Sequence, residues 1–218
     1  MINPKISAAW YDTKHNGHLG AVYAATDQIA VAAAYDKWAE TYEEEMRRAG
    51  YRHPSIALAL LARHLPPGAG PVLDAGAGTG MVGEWMGIVG YPDIEALDIS
   101  AGMLAVAARK GVYTKLHTIA LGGVLPFETG IYAGIICTGV FTTGHVGADA
   151  LAELVRITRP GGVIVATVKG TVWEGGFAAE IVRLSDLVTL AEETAPYVSM
   201  PGEAVTSPSR AIVLRLHP

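Results

Sequence analysis

The chain has 218 residues, half of them apolar, a formal net charge of -5 and a single cysteine, Cys137. That size suits one globular domain with a substantial core, the scattered Lys and Arg argue against a surface that tracks nucleic acid, and one cysteine allows no internal disulfide. Apolar runs such as residues 56–61 fall far short of the roughly 20 residues that span a bilayer, and the first residues lack the charged and apolar regions of a secretory leader, so a cytoplasmic protein with no membrane partner is expected.

Near the N-terminus, Pro4, Asn16, Gly17 and Gly20 mix with Trp10 and Tyr11, the composition of an irregular arm. From Thr26 and Asp27, a suitable N-cap, to the stop at Gly50, apolar residues Ile29, Ala33, Tyr35, Trp38 and Tyr42 recur at mixed helical spacing, which predicts one or two helices over a core. Pro54 and Ser55 open another apolar helix, ended near Leu65 by Pro66-Pro67-Gly68. Residues 1–218 therefore read as one domain, with 1–50 an arm and lid and 51–218 the core.

Beyond Gly68, short β-branched runs alternate with helical stretches. Val72–Ala75 precedes Met81–Val89, Ile94–Asp98 precedes 100–110, and 131–137, 148–158 and 162–168 follow. Strand alternating with helix at this spacing predicts parallel βαβ units in a doubly wound, Rossmann-like α/β sheet. The last run, 210–216, follows Pro201, Gly202, Ser207 and Pro208 without a helix and predicts an antiparallel strand closing the sheet.

Gly76, Gly78 and Gly80 follow Val72-Leu73-Asp74, which puts a glycine-rich turn at the carboxyl end of the first parallel strand, where open α/β sheets bind ligands. A literal GxGxxG also occurs at Gly78-Thr79-Gly80-Met81-Val82-Gly83, so a dinucleotide competes for the site. Charge separates the two. Asp74 is a poor neighbour for an anionic pyrophosphate and a good one for the ammonium and sulfonium of S-adenosylmethionine, at roughly 4 kcal/mol per close charge pair before desolvation. Counted from Gly76, the third glycine of the dinucleotide pattern is replaced by the bulkier Met81. Asp98 ends the next strand at the separation where a carboxylate can receive ribose hydroxyls, a feature both cofactors share, and Ser100 caps the following helix.

These residues resemble the class I S-adenosylmethionine-dependent methyltransferases. The first motif is matched by Val72-Leu73-Asp74-Ala75-Gly76-Ala77-Gly78-Thr79-Gly80 and the acidic second strand by Leu97-Asp98-Ile99-Ser100. Leu125-Pro126-Phe127 and the run from Leu154 through Arg159-Pro160-Gly161-Gly162 add further matches. Tyr35-Asp36-Lys37-Trp38-Ala39-Glu40-Thr41-Tyr42, the stretch 141–146 and the ending around Pro208-Ser209-Arg210 are similar to the methyltransferase-like proteins named after the Williams–Beuren syndrome chromosome region. The resemblance implies a seven-stranded sheet with its last strand antiparallel and a donor site made by loops after strands one, two and four. Its residues would be Asp74, Ala75, Gly76, Gly78, Gly80, Asp98, Ile99, Met103, Leu121, Cys137 and Thr138, with Tyr35, Trp38 and Tyr42 on a lid helix over the methionine half. Where many relatives carry an adenine-binding Asp, this chain has Ile119-Ala120-Leu121-Gly122-Gly123, so adenine would be held by backbone groups and apolar contact.

Methyl transfer is an in-line displacement that alignment and water exclusion can drive, so a base is optional. His145, on the loop after the fourth strand, is the candidate catalytic base; a histidine bonded to a loop carbonyl is its structural alternative. Cys137 reads as a small buried hydrophobe rather than a nucleophile. His15 and His18 lack the further ligands a metal needs. Trp173 and Glu174 either line an acceptor pocket or simply begin a helix. The absence of an Asn/Asp-Pro-Pro-aromatic motif and of a Pro-Cys pair after strand four leaves a small-molecule acceptor as the leading expectation. A protein that binds the donor without turning it over is the second reading, and a nicotinamide-dependent oxidoreductase the third.

Overall fold

The structure, a computed structural model, describes residues 17–143, 146–203 and 207–218. Its strands are β1 (Val72–Ala75), β2 (Ile94–Asp98), β3 (Lys115–Thr118), β4 (Tyr132–Phe141), β5 (Thr158–Lys169), β6 (Val188–Glu193) and β7 (Ser209–Leu216). They form one sheet in the order β3-β2-β1-β4-β5-β7-β6. Pairs from β3 to β5 are parallel, and β7 runs antiparallel to both of its neighbours.

This is the doubly wound, mostly parallel sheet expected, with one difference at its end. The last strand does not close the sheet: β7 lies between β5 and β6, and β6 forms the edge. The reason is legible in burial. Residues of β7 are covered almost throughout, so the strand reads as an apolar run, whereas β6 buries Val188 and leaves most of its other residues exposed. An edge strand with little to bury carries little periodicity. β3, at the other edge, is exposed for the same reason.

Eight helices accompany the strands among the described residues: α1 (Gly17–Ala24), α2 (Gln28–Trp38), α3 (Tyr42–Ala49), α4 (His53–His64), α5 (Met81–Val89), α6 (Ala101–Ala108), α7 (Ala150–Ile157) and α8 (Ala178–Arg183). A short turn, Gly170–Val172, and a π-type turn, Trp173–Phe177, lead into α8. The expected irregular arm is helical from Gly17 onward. The Asp27 side chain accepts from the Ala30 amide at 2.8 Å, so it caps α2 as predicted. Gly50 ends α3 in the left-handed region, φ 69°, where a side chain would be strained.

Adjacent residues of the central strands point to opposite faces, which divides the core in two. Val72, Ile136 and Val213 pack with Leu60 and Leu61 of α4 and with Val82 and Met86 of α5. On the other face Leu73, Ile135 and Leu214 pack with Leu151 and Leu154 of α7 and with Ile181 of α8. A third cluster, Val22, Trp38, Met46, Met103 and Met200, joins the N-terminal helices to α6. That cluster holds α2 and α3 near the carboxyl ends of the strands.

Candidate functional site

A cavity of about 320 Å³ crosses the carboxyl ends of the parallel strands. Its wall runs from Ile119, Ala120 and Leu121 after β3, past Asp98 and Ile99 at β2 and Gly76 and Gly78 at β1, to Thr138, Gly139 and Val140 in β4. Gln28, Val31 and Tyr35 of α2 and Tyr42 of α3 cover it.

Backbone conformation explains the glycines. Gly76, Gly78 and Gly80 all have positive φ, 79°, 55° and 81°, which side-chain-bearing residues avoid. A Cβ on Gly76 would also lie 2.1 Å from a Val140 methyl. The turn so formed lets the Gly78 amide donate to Asp98 Oδ2 at 2.8 Å, while the Ser100 amide donates to Asp98 Oδ1 at 2.9 Å. Asp98 is thereby fixed at the cavity wall with oxygen lone pairs left for further donors. Burial raises its pKa above the ordinary carboxylate range, against the amide hydrogen bonds.

Asp74 is fully buried, and the Tyr113 hydroxyl donates to its Oδ2 at 2.7 Å. Its Oδ1 has no hydrogen-bond partner, nor has Thr79 Oγ1 in the same turn. Buried polar atoms left unpaired are rare in folded proteins. Burial pushes the Asp74 carboxyl up to about 7, with the Tyr113 hydrogen bond opposing and the charge of Asp98 adding to the rise. A native pKa above the unfolded one means that the stabilising contribution of this group is complete below about 3.8 and is lost as pH rises through about 7. Asp74→Asn is therefore expected to stabilise the free protein relative to wild type by a margin that widens across that window, by on the order of a few kcal/mol at most. Denaturant unfolding of both proteins at a series of pH values measures it. His53 titrates with the opposite sign: burial, with the charge of Lys169, pushes it down to about 3, so its contribution is present above 6.5 and lost as pH falls toward 3. It cancels in the comparison.

Of the residues singled out from the sequence, Tyr35, Tyr42, Gly76, Gly78, Asp98, Ile99, Met103, Leu121 and Thr138 line the cavity together. Asp74, Ala75, Gly80, Cys137 and Trp38 stand behind it. Trp38 is 1% exposed, with ring centroids of Tyr35 at 6.2 Å and Tyr42 at 4.8 Å, so it backs the two tyrosines. Burial pushes the Cys137 thiol up, the opposite of an activated nucleophile. His145 and His15 lie outside the described residues. His18 stacks on Trp38, and among the described residues no three His, Cys, Asp or Glu side chains converge as a metal site would require. Trp173 carries the Arg210 guanidinium 4.3 Å above its ring.

Two contacts have no signature in the sequence. Asp36 of α2 accepts from Ser100 Oγ at 2.6 Å and from the Gly102 amide at 2.8 Å. A Cβ on Gly102 would fall 3.0 Å from the Asp36 Cα, so glycine is what lets α2 approach the start of α6. Tyr113 reaches Asp74 across Gly80 and Gly83, and a Cβ on Gly83 would sit 2.0 Å from the tyrosine oxygen. The third glycine of the literal GxGxxG thus makes room for a tyrosine.

An unpaired Asp74 oxygen beneath the turn disfavours an anionic pyrophosphate and can offset a cation, and the lone pairs left on Asp98 can accept from hydroxyl donors. A nucleoside with a positively charged tail meets both demands. This sheet order is that of the fold shared by solved S-adenosylmethionine-dependent methyltransferases.

A family model described as a methyltransferase domain matches residues 73–166. Methyltransferase-like protein 27 of Homo sapiens is 33% identical over 138 residues, 62% of this chain and 56% of that protein. Malonyl-acyl-carrier protein O-methyltransferase of Yersinia pestis is 34% identical over 145 residues, 64% of this chain and 50% of that one. The chain thus spans about half the length of these curated relatives. Among solved structures, the 1,6-didemethyltoxoflavin-N1-methyltransferase of Burkholderia thailandensis, with bound 1,6-didemethyltoxoflavin and S-adenosylhomocysteine, superposes with a TM-score of 0.62. It is 18% identical, and the match covers 89% of this chain and 92% of that one, a likeness of fold. No described helix is long and apolar enough to cross a membrane.

Proposed function

We propose that the protein transfers the methyl group of S-adenosylmethionine to a small-molecule acceptor. The observation that carries this reading is the pairing of a fixed, cavity-facing Asp98 with an unpartnered Asp74 oxygen below one glycine turn. When bound, the donor supplies an electrophilic methyl group on a sulfonium. Asp98 receives the ribose hydroxyls, and Asp74 supplies the charge that offsets the ammonium. Gly76 and Gly78 let the backbone come close. Ile99, Met103 and Leu121 hold adenine by apolar contact, with the backbone of 119–121 in place of a side-chain carboxylate. Residues 1–50 supply an N-terminal arm and the lid helices of a domain whose core is 51–218, with Tyr35 and Tyr42 closing over the methionine half and excluding water.

His145 serves as base where an acceptor arrives protonated; the adjoining Val146 lines the cavity. The acidic balance of the chain favours a small acceptor over nucleic acid. Release of S-adenosylhomocysteine, screened across metabolite classes with labelled donor, tests the reading. Turnover with a metabolite supports it. Donor binding without turnover on any class makes the protein a binder instead, and labelled RNA or protein in an extract freed of metabolites overturns the small-molecule acceptor.

A further inference from the structure

Taking the donor site as proposed above, we infer that a second chamber beside it is the acceptor subsite, that it takes a carboxylate, and that the product is a methyl ester. The chamber measures about 50 Å³ and shares Tyr35, Tyr42 and Gly139 with the donor cavity as a common wall. Its place follows from the sheet. The donor cavity starts after β3 and ends at β4; the next strands, β5 and β7, supply the floor of the chamber. Lys169 is the last residue of β5, Ser209 is the first of β7, and the two are directly paired across the antiparallel ladder.

Both side chains are buried, at 3% and 2% exposure. The Lys169 ammonium lies 2.6 Å from the Tyr23 hydroxyl and 4.5 Å from the centre of its ring. Ser209 Oγ has no hydrogen-bond partner, nor has Trp38 Nε1, and both residues line the chamber. An ammonium and an indole N–H can only donate, and a serine hydroxyl can donate as well. An ionised carboxylate only accepts, so it complements all three.

Proton bookkeeping points the same way. Among the described residues that line the chamber, burial pushes Tyr35, Tyr42 and Tyr51 up, away from neutrality. Burial and the charge of Lys169 push His53 down to about 3, and its Nδ1 is 2.7 Å from the Tyr197 hydroxyl. These groups offer no base near neutral pH. Amines and phenols, with pKa values near about 10, arrive protonated, whereas a carboxylic acid, near about 4, arrives ionised. In the step itself a carboxylate oxygen forms the new C–O bond as the methyl C–S bond breaks; the electron pair of that bond returns to sulfur, and no proton moves.

The full chain, given donor labelled in its methyl group, is to be offered mono- and dicarboxylic acids beside matched amides, amines, phenols and thiols. The expected label appears only with acids and is released by alkali as volatile methanol. Lys169→Met is expected to raise KM for the accepted acid by about tenfold or more, with S-adenosylhomocysteine affinity by calorimetry unchanged. Ser209→Ala, a smaller change that covers the case of a misfolded lysine variant, raises KM severalfold. Alkali-stable label, a KM indifferent to both substitutions, or no acid accepted by a protein that binds S-adenosylhomocysteine overturns the carboxylate subsite. Failure of the wild type to bind S-adenosylhomocysteine overturns the donor reading itself.

Discussion

Asp98→Ala is expected to weaken S-adenosylhomocysteine binding by about a hundredfold or more, measured by isothermal calorimetry at fixed pH and salt. The carboxylate performs two tasks at once. In the proposed donor site it receives the ribose hydroxyls, each hydrogen bond to a charged group being worth about 1.5–3 kcal/mol, and every 1.4 kcal/mol is about tenfold in affinity. It also accepts the amides of Gly78 and Ser100, so its loss releases the glycine turn from the start of α6. Asp98→Asn is not a mild control. Both carboxylate oxygens already face N–H donors, and an amide must turn its own NH₂ toward one of them. A loss below about tenfold for the alanine variant would remove Asp98 from the donor site.

Gly83→Ala is expected to destabilise the protein by about 3 kcal/mol and to weaken donor binding with it, as read by denaturant unfolding and calorimetry. The sign is what makes the measurement decisive. Gly83 lies within α5, and in an ordinary helix alanine is more favourable than glycine by about 1 kcal/mol. Here the new methyl would fall 2.0 Å from the Tyr113 oxygen and 2.2 Å from Cζ of its ring. The ring must move, which opens a void and takes away the donor on Asp74 Oδ2, leaving both oxygens of a buried carboxylate unpaired. Gly78→Ala provides the contrast, because nothing lies within 4 Å of its added Cβ and only the positive φ opposes it, at about 1–2 kcal/mol. If Gly83→Ala proves as stable as wild type, Tyr113 does not hold Asp74 in place.

The features visible in the sequence are those that neighbouring residues determine together. The glycine turn follows its strand directly, Asp98 ends the next strand, and Gly50 and Asp27 stop and start their helices within a few residues of the positions they serve. Central strands were legible because burial on both faces demands an uninterrupted apolar run. The edges were not, since β3 places Lys115 and His117 in a strand of four residues and β6 is mostly exposed. α1 was hidden by Gly17 and Gly20, poor helix formers held by packing of Val22 in the cluster around Trp38. Contacts such as Asp36 with Gly102, Tyr113 with Asp74 and Lys169 opposite Ser209 join distant segments whose meeting is set by the sheet order. Neither residue of such a pair marks its partner. Asp74 shows the difference: its place below the glycine turn is set by its own strand, yet the tyrosine that holds one of its oxygens comes from a segment beyond the next strand and helix.

The Asp36 contact has a kinetic corollary. Ser100 gives its amide to Asp98 and its hydroxyl to Asp36, so the carboxylate proposed to meet the ribose and the helix that carries Tyr35 are connected through one residue. Tyr35 also walls the smaller chamber. With Asp98 in its proposed role, occupancy of the nucleoside end is expected to steady the helix that shapes the far end, so that donor and acceptor add in compulsory sequence. Initial-rate patterns are expected to show S-adenosylmethionine adding first and S-adenosylhomocysteine leaving last, with product inhibition by S-adenosylhomocysteine competitive against the donor alone.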